Sequence, residues 1–289
     1  MIRDRSLSSR IFDFFLYLMC ATVLIIVLAP VLNIFSVSFS SYEAFARGDV
    51  GLWPVEFSTR AYETIIKDGK VLQGLRFSLI YTGLGTLLNT CLTVLTAYPM
   101  SKKDMPFRGI ISMYFAFTMF FSGGMIPTFL LVQKLRLYDS IWAMIVPGAM
   151  QIYNMIIMRT YFQTIPRELT EAALIDGANE WQTLWKIVLP LSKASIATIS
   201  LFYAVGHWNS WFSASIYLST SEKAPLQLVL RNMIFNTEAL IQSGEADSNL
   251  GSTTISYATL FISMVPMMLV YPFVQKYFVK GVMIGSVKG

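Results

Sequence analysis

The 289-residue chain is 55% hydrophobic and only 13% charged, with mean hydropathy +0.56 and formal net charge +5. So apolar a composition excludes an ordinary soluble domain and indicates a polytopic membrane protein. Two cysteines and one histidine, all within apolar runs, build neither a disulfide framework nor a zinc site. The sequence pI near 9.1 needs no nucleic acid, because basic loops beside anionic lipid explain it.

A charged side chain at the centre of a membrane helix costs about 2.5–3.5 kcal/mol, so uncharged runs of about 20 residues mark crossings. The first lies between Asp13 and Glu43 and predicts a retained helix, since its apolar part is too long for a cleavable signal and no small-x-small site follows. The stretch from Glu43 to Lys70, with Trp53-Pro54 and alternating charge, reads as a docking surface rather than a catalytic site. The second run, between Arg76 and Lys102, is followed by the basic loop SKKDMPFRG. The third, between Arg108 and Lys134, holds Gly123, Gly124 and Pro127, which fit either a broken helix beside a cavity or close helix packing. The fourth, between Asp139 and Arg159, is the shortest and still spans about 28 Å as a helix. The fifth lies between Lys193 and Glu222, and a long polar loop is expected over 222–250. The sixth lies between Asp247 and Lys276.

These runs predict an all-α protein with six transmembrane helices. An even number of crossings puts both termini on one side, which holds 13 of the 22 Lys and Arg residues. The positive-inside rule then places the termini in the cytoplasm. The expected organisation is an N-terminal part over 1–70, a transmembrane core over 71–275 with a loop at 159–190 on the side of the termini, and a tail over 276–289.

That loop contains EAALIDGANEWQTLWKIVLP at 171–190. Pro166 suits a first helical turn, and Glu168 and Glu171 complement the positive end of a helix dipole. Asp176-Gly177 is a stop signal, and Asn179 with Gln182 three residues on forms a candidate capping box for a second helix. Trp181, Leu184, Trp185 and Val188 then follow helical spacing up to Pro190. Two short helices with a corner between them are expected. The second fits an interfacial helix as well as a docking one, whereas the first offers a slim Glu-Ala-Ala ridge for a protein groove.

Glu171, Ala172 and Ala173, then Gly177, Ile187, Leu189 and Pro190, resemble the signature loop of the membrane subunits of bacterial binding-protein-dependent ABC importers. Trp208, Asn209 and Phe212 in HWNSWF, the tail QKYFVKGVMIGSVKG, and FSGGMIPTFLLVQKLRLYDS at 121–140 are similar to the carbohydrate-uptake, maltose-type permeases. Together they are similar to the subfamily that imports complex oligosaccharides, uronic-acid oligomers such as alginate fragments among them. The resemblance covers roughly residues 71–289. It implies a type I ABC importer permease fold in the bacterial inner membrane. It also implies a second homologous permease, two cytoplasmic ATPase subunits that carry ATP and Mg, an extracytoplasmic solute-binding protein and an oligosaccharide substrate. Under it the seven signature residues couple to the ATPase, the loop at 222–250 reaches the binding protein, and the tail lies against the ATPase dimer. An ordinary solvated loop and a headgroup-bound tail are the alternatives for the last two.

No phosphate-loop, H-E-x-x-H or G-x-S-x-G motif occurs, so no catalytic residue or bound cofactor is expected on this chain. Tyr203, His207 and Trp211 recur every four residues and would share a helix face, which suits a sugar path or, alternatively, helix packing. Trp208, Asn209 and Phe212 point elsewhere and suit packing. An intramembrane hydrolase lacks its serine motif, and a passive channel or anchor would leave the patterned loop without a purpose. Import of a non-sugar solute by the same class stays open, because the loop reports an ATPase partnership and says nothing of cargo.

Overall fold

The computed structural model describes residues 7–242 and 246–286. They form helices α1 (Leu7–Ser38), α2 (Tyr42–Ala46), α3 (Arg60–Asp68), α4 (Lys70–Ser101), α5 (Arg108–Phe120), α6 (Met125–Lys134), α7 (Ile141–Ile145) and α8 (Ile152–Phe162). Next come α9 (Arg167–Ile175), α10 (Glu180–Thr183), a π-helical turn over Leu184–Val188, and α11 (Leu189–Leu191). The chain ends in α12 (Lys193–Trp208), α13 (Trp211–Tyr217), α14 (Leu226–Gln242) and α15 (Ala246–Ser286). The all-α expectation holds for the described residues.

Three of the six apolar runs form continuous helices long and apolar enough to cross a bilayer: Ser9–Ser38, Lys70–Ser101 and Gly251–Pro272. The other three are interrupted. α5 and α6 meet at 112° across Phe121–Gly124. Gly124 has φ +84, and a Cβ at Gly123 or Gly124 would crowd nothing beyond Pro127 at 3.9 Å. The helix is therefore broken at these glycines, and neither packs closely against another helix of this chain. The fourth run is divided between α7 and α8 by the Pro147-Gly148 turn. The fifth stops where Asn209 Nδ2 and Ser210 Oγ donate to the carbonyls of Val205 and His207, at 2.9 and 2.7 Å, which favours a helix end over another turn.

By packing, the described residues divide into one unit from 7–71 and 232–264 and a second from 72–231 and 265–286. In the first unit, Phe39 stacks on Phe57 and Tyr62, with ring centroids at 5.7 and 4.7 Å, and meets Phe35 and Phe261 at its edges. Tyr62 donates to Ser38 Oγ at 2.9 Å. The most apolar stretch of α1 is wholly uncovered, as suits a helix facing lipid or another subunit.

In the second unit, Val94, Ala97 and Tyr98 of α4 pack with Met155, Met158 and Phe162 of α8, Ile199 and Tyr203 of α12, and Leu184 and Val188 of the π turn. Residues 226–242, expected within a polar loop, are helix α14. Charges at Glu222, Lys223 and Arg231 gave the stretch its polar look, but Leu226, Leu228 and Leu230 are buried at its start. Its first turn is fixed where the Leu226 N–H donates to Ser78 Oγ at 2.8 Å. Residues 243–245 and 287–289, parts of the expected loop and tail, lie outside the described residues, and 276–286 continue α15.

Candidate functional site

The signature segment is built from its caps. Pro166, at ψ 130, precedes α9, one position earlier than the expected first helical turn. At the other end Gly177 adopts φ +82, its N–H donates to the Leu174 carbonyl at 3.1 Å, and Ala178 N–H donates to Ala173 at 2.9 Å. These two bonds form a Schellman motif, which satisfies the last carbonyls and requires a left-handed residue at 177. Two residues on, Asn179 and Gln182 exchange the expected capping-box bonds: Gln182 N–H donates to Asn179 Oδ1 at 2.8 Å, and Asn179 N–H donates to Gln182 Oε1 at 3.0 Å. The corner is therefore held from both sides by local chemistry.

α9 itself has no buried residue. Glu171 and Ala172 are exposed, Ala173 is half-buried, and Leu169, Leu174 and Ile175 leave 46%, 44% and 86% of their surface uncovered. Beside it lies a cavity of about 750 Å³ lined by the end of α4 and the loop after it, the α8–α9 turn, α9 residues that include Glu171 and Leu174, and Glu180 and Val188. A nine-residue helix is thus presented with fixed geometry and little packing of its own.

The second half of the segment departs from the expected pattern. Trp181, Leu184, Trp185 and Val188 do not share one environment: Leu184 and Val188 are 2% exposed in the core, while Trp181 and Trp185 are 57% and 54% exposed. Their indoles meet edge-to-face at 5.9 Å. Pro190 cannot donate to the helix ladder, and the preceding turn widens so that Leu189 N–H reaches back to the Leu184 carbonyl in an i→i−5 bond. Ile187 and Leu189 are half-buried and Pro190 is exposed.

Two neighbours of this segment were invisible to spacing arguments. Tyr98 Oη, on the last turn of α4, donates to Glu180 Oε2 at 2.7 Å, and Lys102 Nζ forms an ion pair with the same oxygen. Lys102 Nζ also lies 4.9 Å from the centre of the Tyr98 ring.

The fifth run separates its candidates. Tyr203 (1% exposed) and His207 (9%) face α4 in a polar seam. Tyr203 Oη lies 2.7 Å from Thr93 Oγ1 and accepts from the Gln151 N–H at 3.1 Å, while Thr90 and Ser200 hydroxyls meet at 3.0 Å. Trp211 starts the separate helix α13, so the expected continuous face of Tyr203, His207 and Trp211 is broken at Asn209-Ser210. Trp211 is 37% exposed, with the Arg231 guanidinium 4.7 Å above its ring. Trp208 is buried, Asn209 ends α12, and Phe212 is 53% exposed with its ring edge-to-face against Trp211. Among the described residues no three His, Cys, Asp or Glu side chains converge as a metal site.

Long apolar helices, broken spans and a short capped helix projecting from them describe a helical membrane protein. The family model for "binding-protein-dependent transport system inner membrane component" matches residues 89–284, and the chain belongs to this family. It is 40% identical to the polygalacturonan/rhamnogalacturonan transport system permease protein YtcP of Bacillus subtilis (strain 168), over 98% of this chain and 100% of that one. It is 39% identical to protein LplC of the same organism, over 98% and 96% of the two chains. The fold matches a chain in the crystal structure of a bacterial ABC transporter involved in import of the acidic polysaccharide alginate. The TM-score is 0.87 at 35% identity, covering 95% of this chain and 99% of that one. The chain is therefore an inner-membrane ABC transporter permease for carbohydrate uptake.

Proposed function

We propose that this permease pairs with a second, homologous permease to line the path of an ATP-driven importer of oligosaccharides. α9 and the corner at Gly177 dock one of two cytoplasmic ATPase subunits. An extracytoplasmic binding protein delivers the sugar. The observation that carries the reading is the uncovered α9, fixed by a Schellman motif and a capping box and bare of packing on its outer side. A helix so constrained offers a preorganised ridge, and preorganisation lowers the entropic cost of docking.

ATP and Mg belong to the ATPase partners in this reading, and both termini lie in the cytoplasm, on the same side of the membrane as the docking helix. The substrate is an acidic oligosaccharide, in keeping with the polygalacturonan/rhamnogalacturonan named for one relative and the acidic polysaccharide alginate named for the solved importer. Trp211 supplies an aromatic face on the sugar's path, while Tyr203 and His207 act from within the seam by fixing α12 against α4.

Affinity purification of the tagged permease from its native membranes tests the docking role, with Glu171→Lys as the comparison. A second permease and an ATPase co-purify with the native chain, and the ATPase is lost from the variant. Native preparations without any ATPase would exclude the coupling role.

A further inference from the structure

The docked helix is useful only if its displacement reaches the membrane helices, and α9 has no buried side chain to carry that force. A cleft lined by Glu168, Thr170, Glu171 and Leu174 on one side and by Tyr98, Ser101 and Lys102 on the other lies between this helix and the end of α4. What remains beyond α9 is the corner at Gly177 and then Glu180, the first residue of α10. The Glu180 carboxylate accepts from Tyr98 Oη at 2.7 Å and pairs with Lys102, both at the end of α4. The Tyr98 ring is 8% exposed and packs edge-to-face on Phe162, so the hydroxyl is aimed by a rigid base.

α4 is a continuous helix from this contact into the polar seam. Thr93 and Asn89, five and nine residues before Tyr98, meet Tyr203 and His207 of α12. At 1.5 Å per residue, Asn89 lies about 14 Å along the same rod. One helix is thus bonded to the signature segment at one end and to the fifth-run helix further in.

We propose that Tyr98, Lys102 and Glu180 form a latch that makes α4 move with the ATPase-docking helix, transmitting its displacement to the α4–α12 seam. These are positioning residues outside the Glu-Ala-Ala signature. The proposal rests on the docking role given above. It adds a specific transmission route: an ion pair and a tyrosine hydroxyl at the junction, then a single helix. The second anchor, Leu184 and Val188, shares a close-packed core with Val94, Ala97 and Tyr98 of α4, so apolar packing and the two directed bonds to Glu180 join the same pair of elements, the bonds lying nearer to α9 in the chain.

The test uses the whole importer, purified with its partner permease and ATPase subunits. Cys20 and Cys91 are changed to serine, and spin labels are placed through Arg167→Cys on α9 and Leu95→Cys on α4. Their distance is measured without nucleotide and after trapping with ATP and vanadate. With the latch intact the two labels keep their separation. In Tyr98→Phe and in Glu180→Gln the ATPase still co-purifies, but trapping shifts that distance by about 2 Å or more, the size of helix displacements at switching interfaces. The swap Lys102→Glu with Glu180→Lys restores the fixed distance. The same nucleotide response in native and latch variants overturns the proposal. So does loss of the ATPase from the latch variants, which would make these residues part of the docking surface. A native preparation lacking the ATPase instead defeats the docking role itself.

Discussion

Asn89 Nδ2 lies 3.0 Å from His207 Nε2 and 3.2 Å from the carbonyl oxygen of Gly148. Because that carbonyl can only accept, the nitrogen end of the Asn89 amide faces both groups, and His207 Nε2 must offer its lone pair. His207 thus serves through Nε2 as an acceptor that ties α12 to α4. Gly85, one turn before Asn89, completes the niche: a Cβ there would stand 2.4 Å from Nε2.

This geometry makes Gly85→Ala a steric probe of the seam. The ring is 9% exposed and bonded, so it shifts only by breaking the Asn89 contact. Overpacking of this kind costs roughly 1–3 kcal/mol, and the thermal inactivation midpoint of the purified complex falls accordingly. His207→Ala in the same background relieves the clash and recovers part of the loss. A Gly85→Ala protein as stable as the native one would mean that the niche is not filled as described.

Gly177 is constrained differently. No atom lies within 4 Å of a Cβ built there, so only its φ of +82 penalises a side chain. Left-handed backbone costs an L-residue about 1–2 kcal/mol, least for asparagine. Gly177→Val weakens recovery of the ATPase with the permease and reduces uptake, Gly177→Asn does so less, and any loss of overall stability is limited to that backbone cost because a side chain at 177 crowds nothing. Equal ATPase recovery for all three proteins would detach the corner from docking.

These two glycines also mark what was legible in the sequence. The corner at Gly177 and the capping box at Asn179 and Gln182 are made within a few residues of chain, and residue type and spacing specify such motifs directly. Gly85 against His207, and Tyr98 against Glu180, join positions 122 and 82 residues apart in the chain, and no local pattern encodes which turns of two helices meet. Trp181, Leu184, Trp185 and Val188 show an intermediate case. Their helical period holds locally, but the turn over Leu184–Val188 is widened, and the tryptophans face outward while the aliphatic pair stays in the core. The broken fifth run likewise turned on two side-chain bonds, from Asn209 and Ser210, that a hydropathy profile averages away.

Asp139 provides a pH prediction outside the spans. Its carboxylate accepts from Lys223 Nζ at 2.8 Å, from Thr220 Oγ1 and N–H at 2.5 and 3.0 Å, and from Ser219 N–H at 3.1 Å. The Lys223 ammonium first, and then the Thr220 donors, hold its pKa well below the ordinary carboxylate range. A depressed folded-state pKa contributes stability above the unfolded value of about 3.9, and the contribution drains away as pH falls below it. Asp139→Asn is thus less stable than the native protein near neutral pH, and the gap narrows below about pH 4. Melting curves across pH 3–7 that run parallel for the two proteins would rule out this linkage.

The sugar path is tested most directly at Trp211, whose ring is partly uncovered and carries the Arg231 guanidinium at 4.7 Å. A pyranose ring stacked on an indole face loses that contact in Trp211→Ala, at a cost of roughly 0.5–1.5 kcal/mol by analogy with aromatic pairs. Apparent affinity for an oligogalacturonide in transport by the reconstituted complex then weakens about two- to tenfold, with Trp211→Phe intermediate. Because Trp211 lies on α13, beyond the helix end at Trp208, its removal leaves the α4–α12 seam bonded. Assembly with the ATPase and basal ATP hydrolysis therefore stay at native levels. If uptake affinity is unchanged in Trp211→Ala while transport persists, the indole packs against protein or lipid, and the sugar contacts belong to other residues or to the partner permease.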